Sequence, residues 1–155
     1  MEYNPYALTG KTILVTGASS GIGRAVAIEC SRLGAHVILS ARNKEKLEET
    51  LKMMEGHGHQ VIECDLSKEK EVSLLIDEVP EIQGLVNNAG TTMTVPVPFI
   101  KFNVLSDLLK VNTIAPIMIL SGLVKKKKLR ENSSVVFTSS VSGLGRVSPG
   151  NTMYA

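Results

Sequence analysis

The sequence predicts a doubly wound α/β domain, a parallel sheet with helices on both faces. Three observations carry that prediction. From Lys11 onward, short apolar runs of strand length alternate with charged segments of helix length. A glycine cluster stands directly after the first apolar run and opens the first helical pattern. Strands joined through helices are long-range crossovers, which pair in parallel and cover both faces of the sheet.

The elements follow in order. "KTILVTG" is an apolar run ending in glycine, a buried strand. "GIGRAVAIECSRLG" places Ile22, Ala25, Val26, Cys30 and Leu33 on one helical face, with Gly34 as the stop. "AHVILSA" is the second strand, followed by the charged helix "KEKLEETLKMMEG". "QVIECD" is the third strand; "SKEKEVSLLIDEV" is a helix that Ser67 can cap, with Glu69 and Glu71 favourable in its first turn. "IQGLVNNAG" is the fourth strand, followed by a loop rich in Thr, Val and Pro from Thr91 to Pro98. A long helix over about Val104 to Leu129 precedes a fifth strand, "SSVVFTSS". The lysines from Lys125 to Lys128 read as a solvated helix end near the negative pole of the dipole.

Composition narrows the function classes. A chain of 155 residues fits one domain, which buries roughly 70% of its unfolded surface. A net charge of +2 argues against a nucleic-acid or membrane footprint, and 4% aromatics without tryptophan argues against base stacking. Cys30 and Cys64 form no CxxC or Cys/His cluster, so the expectation is no metal site and two free thiols in a reducing, cytoplasmic setting. "IAPIMILSGLV" is short of the roughly 20 residues of a membrane span and carries Pro116 and Ser121. "MEYNPYALTG" lacks the basic start and apolar core of a signal peptide.

The chemistry starts in "VTGASSGIGRA". Gly17, Gly21 and Gly23 lie between a strand and a helix, where absent side chains allow a tight turn and close backbone approach. The unpaired amides of the first helical turn then face an anion such as a pyrophosphate.

The spacing is T-G-x-x-x-G-I-G rather than G-x-G-x-x-G. Further along stand "NNAG" at Asn87 to Gly90, "VN" at Val111 and Asn112, and "TSSVSG" at Thr138 to Gly143. On these motifs, in this order and across nearly the whole chain, the sequence resembles the short-chain dehydrogenase/reductase family. The resemblance implies a Rossmann-type fold and hydride transfer between a nicotinamide cofactor and a carbonyl or alcohol substrate. A 3-oxoacyl carrier is one substrate class; steroid, sugar and xenobiotic carbonyls stay open. It implies cofactor contacts from Gly17, Ser19, Ser20, Gly21, Ile22 and Gly23 in the glycine loop. Arg42, Asp65, Leu66, Asn88, Ala89 and Gly90 are the remaining implied contacts. It also implies a homodimer or homotetramer, and two more strands beyond the fifth in a chain of roughly 250 residues. Residues 1–155 are therefore expected to be the N-terminal portion of one domain, its sheet incomplete on the C-terminal side. The competing class is a nucleotide-binding fragment without turnover.

The choice of cofactor turns on "LSARN". An acid at the tip of the second strand accepts hydrogen bonds from both ribose hydroxyls and repels a 2′-phosphate. Ala41 stands where relatives that prefer NAD carry that acid, and Arg42 follows with charge and a fork of donors. NADP(H) is the cofactor this predicts; a surface arginine with nothing to hold is the alternative. Asp65 matches the family position that contacts adenine, and it can also cap toward the next helix.

Reduction of a carbonyl builds negative charge on oxygen, which must be stabilised and protonated. By resemblance, Ser140 bonds that oxygen and Tyr154 exchanges the proton, with Ser139 as the alternative hydroxyl. Ser140 and Tyr154 are fourteen residues apart, one more than in many relatives, across the loop "GLGRVSPGNTM". The family sets a lysine four residues after the tyrosine to favour phenolate; that position lies beyond Ala155. Asn112 carries a separate argument: Pro116, four residues on, has no N–H to offer its carbonyl. The freed carbonyl can hold a water, matching the family role of this asparagine; a bent packing helix is the plain reading.

Overall fold

The computed structural model describes residues 4–143 and Tyr154. The loop expected over 144–153 lies outside the described residues. Five strands, β1 (Thr12–Thr16), β2 (His36–Ala41), β3 (Gln60–Glu63), β4 (Ile82–Asn87) and β5 (Leu129–Phe137), form one sheet in the order β3-β2-β1-β4-β5. Every pairing is parallel. Helices α1 (Gly21–Arg32), α2 (Lys44–Lys52), α3 (Glu69–Glu78), α4 (Phe102–Leu109) and α5 (Ala115–Lys125) supply the crossovers. The doubly wound expectation is met.

Alternation along β1 explains the two layers. Ile13 and Val15 point into a core with Ala27, Val37, Leu39 and Leu47, beneath α1 and α2. Leu14 points the other way, into a core with Ile38, Leu75, Leu85, Ile119 and Leu123, beneath α3 and α5. Leu14, Leu39, Leu47, Leu75, Leu85, Ile119 and Leu123 are fully enclosed, each stabilising by about 1.5–3 kcal/mol through burial.

Several boundaries and contacts differ from the sequence expectation. The buried side of α1 is Gly23, Ala27 and Ser31, with Val26 and Cys30 partly packed, whereas Ile22 and Ala25 are exposed. Small residues at a four-residue spacing let this helix lie close to the sheet, and Ile22, at its tip, overhangs the strand ends instead. α2 stops at Lys52 rather than Gly56. Ser67 does not cap α3. The cap position is Lys68, and Ser67 instead gives its N–H and hydroxyl to Asp65 Oδ1 at 3.0 and 2.8 Å.

The long helix runs from Phe102 to Lys125 with a π turn at Lys110–Ile114, and Leu129 belongs to β5. Pro116 sits in the first turn of α5, where its missing N–H is tolerated, so the helix continues past it. The run of 24 residues, with a mean hydropathy of 1.5 in its most apolar window, is long and apolar enough to cross a membrane. That exceeds the shorter apolar stretch, "IAPIMILSGLV", weighed as a span from the sequence. Ala115, Ile119 and Leu123 are nevertheless buried against the sheet, as in a core helix.

The lysine run is not simply solvated. Lys128 Nζ donates to the carbonyls of Ile76, Asp77 and Val79 at 2.9, 2.6 and 2.6 Å, and Lys126 pairs with Asp77. One ammonium thus satisfies the open carbonyl end of α3.

Candidate active site

The chain order reverses at β1, whose neighbours β2 and β4 lead to opposite halves of the sheet. At such a point the crossovers diverge and leave a crevice beyond the carboxyl ends of the strands. Here it encloses about 880 Å³. It is lined by Gly17, Ser19, Ser20, Ile22, Arg42, Asp65, Leu66, Asn88, Ala89, Gly90, Asn112, Ser139, Ser140 and Tyr154. Gly21 and Gly23, also named from sequence, shape the loop without lining the crevice.

Gly17 has a φ of +69°, and a Cβ there would stand 2.8 Å from Ala89 Cα. A Cβ on Gly23 would lie 2.3 Å from the Gly17 carbonyl oxygen. These contacts are possible only for glycine, and they press the loop against the end of β4. Ser20, the N-cap of α1, makes no side-chain cap, and the first turn holds no acid. Its amides are therefore open to an external anion.

Thr16 joins the strand ends: its Oγ1 accepts from the N–H groups of Asn88 and Ala89 at 3.1 and 3.2 Å. Asn88 Nδ2 donates to the Thr16 carbonyl at 3.4 Å, and Thr138 Oγ1 donates to Asn88 Oδ1 at 3.3 Å. The first asparagine of the motif behaves differently. Asn87 is buried, and its side-chain amide atoms have no partner among the described residues, while its main-chain carbonyl accepts the Thr138 N–H at 2.9 Å.

At the β2–β3 end, Arg42, Asn43 and Lys46 lie across from Asp65 and Leu66. Burial pushes the Asp65 carboxyl up, but the two Ser67 hydrogen bonds, Lys68 and Arg42 together hold it below the usual range. It is an anion at neutral pH. Glu71 Oε2 accepts the Asp65 N–H at 2.6 Å and fixes the turn. Cys64, also on the wall, is pushed up to about 12 by burial and then by Glu71, Asp65 and Glu78, so it is an inert thiol.

At the β4–β5 end, Asn112 stands in the π turn and grips the backbone of Thr91 with its amide. Ser140 is half-buried, its Oγ accepting the Ser142 N–H at 3.2 Å, while Ser139 is exposed. Tyr154 is half-buried on the same crevice. The hydroxyl and phenol named from sequence are therefore brought together, and both serines remain within it.

Ser40, Asn43, Lys46 and Thr91 also line the crevice and were missed from sequence. Asn43 left a readable signal, since it is an N-cap whose Oδ1 takes the Lys46 N–H at 2.8 Å. Ser40 left none; its buried Oγ has no partner among the described residues.

Comparison with known proteins agrees with this geometry. The family model for short chain dehydrogenases matches residues 11–155. The 3-oxoacyl-[acyl-carrier-protein] reductase FabG of Rickettsia felis is 33% identical over 147 residues, 95% of this chain and 60% of that protein. The 3-ketodihydrosphingosine reductase of Mus musculus is 35% identical over 150 residues, 90% of this chain and 45% of that protein. The chain thus spans about half to three-fifths of these relatives. Among solved structures, the promiscuous reductase LugOII, which catalyses keto-reduction at C1 during lugdunomycin biosynthesis, superposes with a TM-score of 0.86 at 28% identity, covering 95% of this chain and 62% of that one. A short chain dehydrogenase/reductase family protein superposes at 0.83 and 26%, covering 95% and 62%. On its sheet order, its glycine loop and these matches, the chain belongs to the short chain dehydrogenase/reductase family.

Proposed function

We propose that this chain is the cofactor-binding and reaction-side portion of an NADP(H)-dependent reductase of carbonyl compounds, with 3-oxoacyl thioesters as the leading substrate class. The observation that carries the reading is the single crevice in which the glycine loop, Arg42, Asp65, Asn112, Ser140 and Tyr154 meet. The uncapped, acid-free first turn of α1 fits a diphosphate. Neutral Ala41 beside Arg42 fits a 2′-phosphate better than a free ribose diol.

When bound, the cofactor supplies a hydride. Asp65 and Leu66 would hold the adenine end, and Asn88 to Gly90 the ribose nearer the reaction. Ser140 donates a hydrogen bond to the substrate oxygen as charge grows on it, and Tyr154 passes its phenolic proton to that oxygen. Asn112 positions the wall opposite through Thr91. Exposed Ile114, Ile117 and Met118 on the long helix support self-association of the protein.

Fluorescence titration with NADPH and NADH tests the cofactor, and tighter NADH binding overturns it. NADPH consumption over a panel of ketones and 3-oxoacyl thioesters tests the reaction. Loss of turnover in Tyr154→Phe with binding retained is the expected outcome. Binding without turnover in every assay points to the nucleotide-binding module instead.

A further inference from the structure

We infer that Lys46 is a second cation for the cofactor's 2′-phosphate and sets the preference between phosphorylated and unphosphorylated adenosine; this rests on the NADP(H) reading above. Arg42 is the obvious cation, and the Asp65 carboxylate lines the same crevice. A phosphate monoester carries nearly two negative charges at neutral pH, so one guanidinium facing a carboxylate leaves it under-compensated.

Lys46 supplies the missing charge. It lines the same end of the crevice as Arg42 and Asn43, and it stands one helical turn from Asn43 on the same face of α2. Glu45, in that turn, does not line the crevice. Among the described residues Lys46 makes no ion pair, whereas nearby Arg24 is taken by Glu49 at 3.3 Å. Unpaired and exposed, the ammonium is available to a ligand. A second observation marks this end as a ligand site. Ser40, just before Ala41 on β2, is 1% exposed and lines the crevice, and its hydroxyl has no partner among the described residues.

The placement of Lys46 is built into the fold. Buried Thr50 sets its Oγ1 2.9 Å from the Ala18 carbonyl and 3.0 Å from the Lys46 carbonyl, and accepts Arg24 Nε at 3.0 Å. Arg24 Nη2 donates to the Ser19 carbonyl at 2.6 Å. The start of α2 is thereby tied to the glycine loop that receives the diphosphate. Both ends of an adenosine diphosphate site are held at one separation, with Lys46 on the outer one.

Calorimetric titration with 2′,5′-ADP and with 5′-AMP isolates the 2′-phosphate, because the two ligands differ by that group alone. The unaltered protein is expected to bind 2′,5′-ADP at least about tenfold more tightly, and Lys46→Met to reduce that ratio by roughly five- to tenfold. Affinity for 5′-AMP stays unchanged, Lys46→Arg retains the ratio, and the ratio shrinks in high salt. A Lys46→Met protein with the original ratio, or with equal losses for both ligands, overturns the inference. If the unaltered protein fails to discriminate, the NADP(H) reading itself falls and the inference with it. Lys46 uses only backbone groups in its intramolecular bonds, so ligand-free melting of Lys46→Met should match the original.

Discussion

Asn112 holds Thr91 by both ends of its amide: Oδ1 accepts the Thr91 N–H at 2.8 Å, and Nδ2 donates to the Thr91 carbonyl at 2.8 Å. The side chain thus completes the backbone hydrogen bonding of a loop residue that has left β4 and pairs with no strand. It also joins the π turn of the long helix to the reaction-side wall of the crevice. The water-linking role expected of this residue concerned its main-chain carbonyl, so the two roles do not compete for one atom.

Asn112→Leu should therefore cost about 1–3 kcal/mol, since two part-buried backbone groups lose their partners. Asn112→Asp keeps the acceptor for Thr91 N–H but turns a carboxylate oxygen toward the Thr91 carbonyl, and should also destabilise. Denaturant midpoints of the three proteins check this. An unchanged midpoint for Asn112→Leu would show the loop to be held by other contacts.

The glycines of the loop should separate into two classes. Gly23→Ala drives a Cβ to 2.3 Å from the Gly17 carbonyl oxygen, a backbone atom that cannot rotate away. It should destabilise by roughly 3 kcal/mol or more and abolish nucleotide binding. Gly21 has a φ of +54° but open space around its Cβ position, so Gly21→Ala should cost only about 1–2 kcal/mol of backbone strain. Paired thermal melts and NADPH titrations distinguish the two.

The lysine run should show an equally sharp division. Lys128→Met strips three carbonyls at the end of α3 of their donor, for a loss of about 1–3 kcal/mol. Lys127 adopts a φ of 56°, a region that disfavours side chains, so Lys127→Gly should be neutral or stabilising by up to about 1 kcal/mol. Chemical denaturation of both variants is the measurement.

Acid should loosen the β3–α3 turn. Glu71 is held below the usual carboxylate range by its hydrogen bond from Lys68 and then by the Asp65 N–H. Asp65 is also held low once its burial is outweighed by Ser67, Lys68 and Arg42. A carboxyl depressed in the folded state stabilises above its unfolded pKa, near 4, and that contribution disappears as pH falls through the folded value. Melting temperature followed from pH 7 to pH 3 should decline in the acid range, and Glu71→Gln should flatten the decline. Equal slopes for the two proteins would remove Glu71 from the account.

The sequence by itself determined the class of fold, the place of the crevice and most of its lining. Those properties rest on local pattern: alternation along β1, glycines between a strand and a helix, an alanine followed by arginine at the tip of β2. Packing and backbone chemistry impose such patterns within a few residues, so they can be read without coordinates. Tertiary structure alone decided how Lys128 closes α3 from 52 residues away and how Asn112 grips Thr91. It also turned Ile22 from the core to the crevice and moved Leu129 from a helix into β5. In each case a side chain's partner is set by which layers of the sheet meet, and adjacency in the chain carries no record of that meeting.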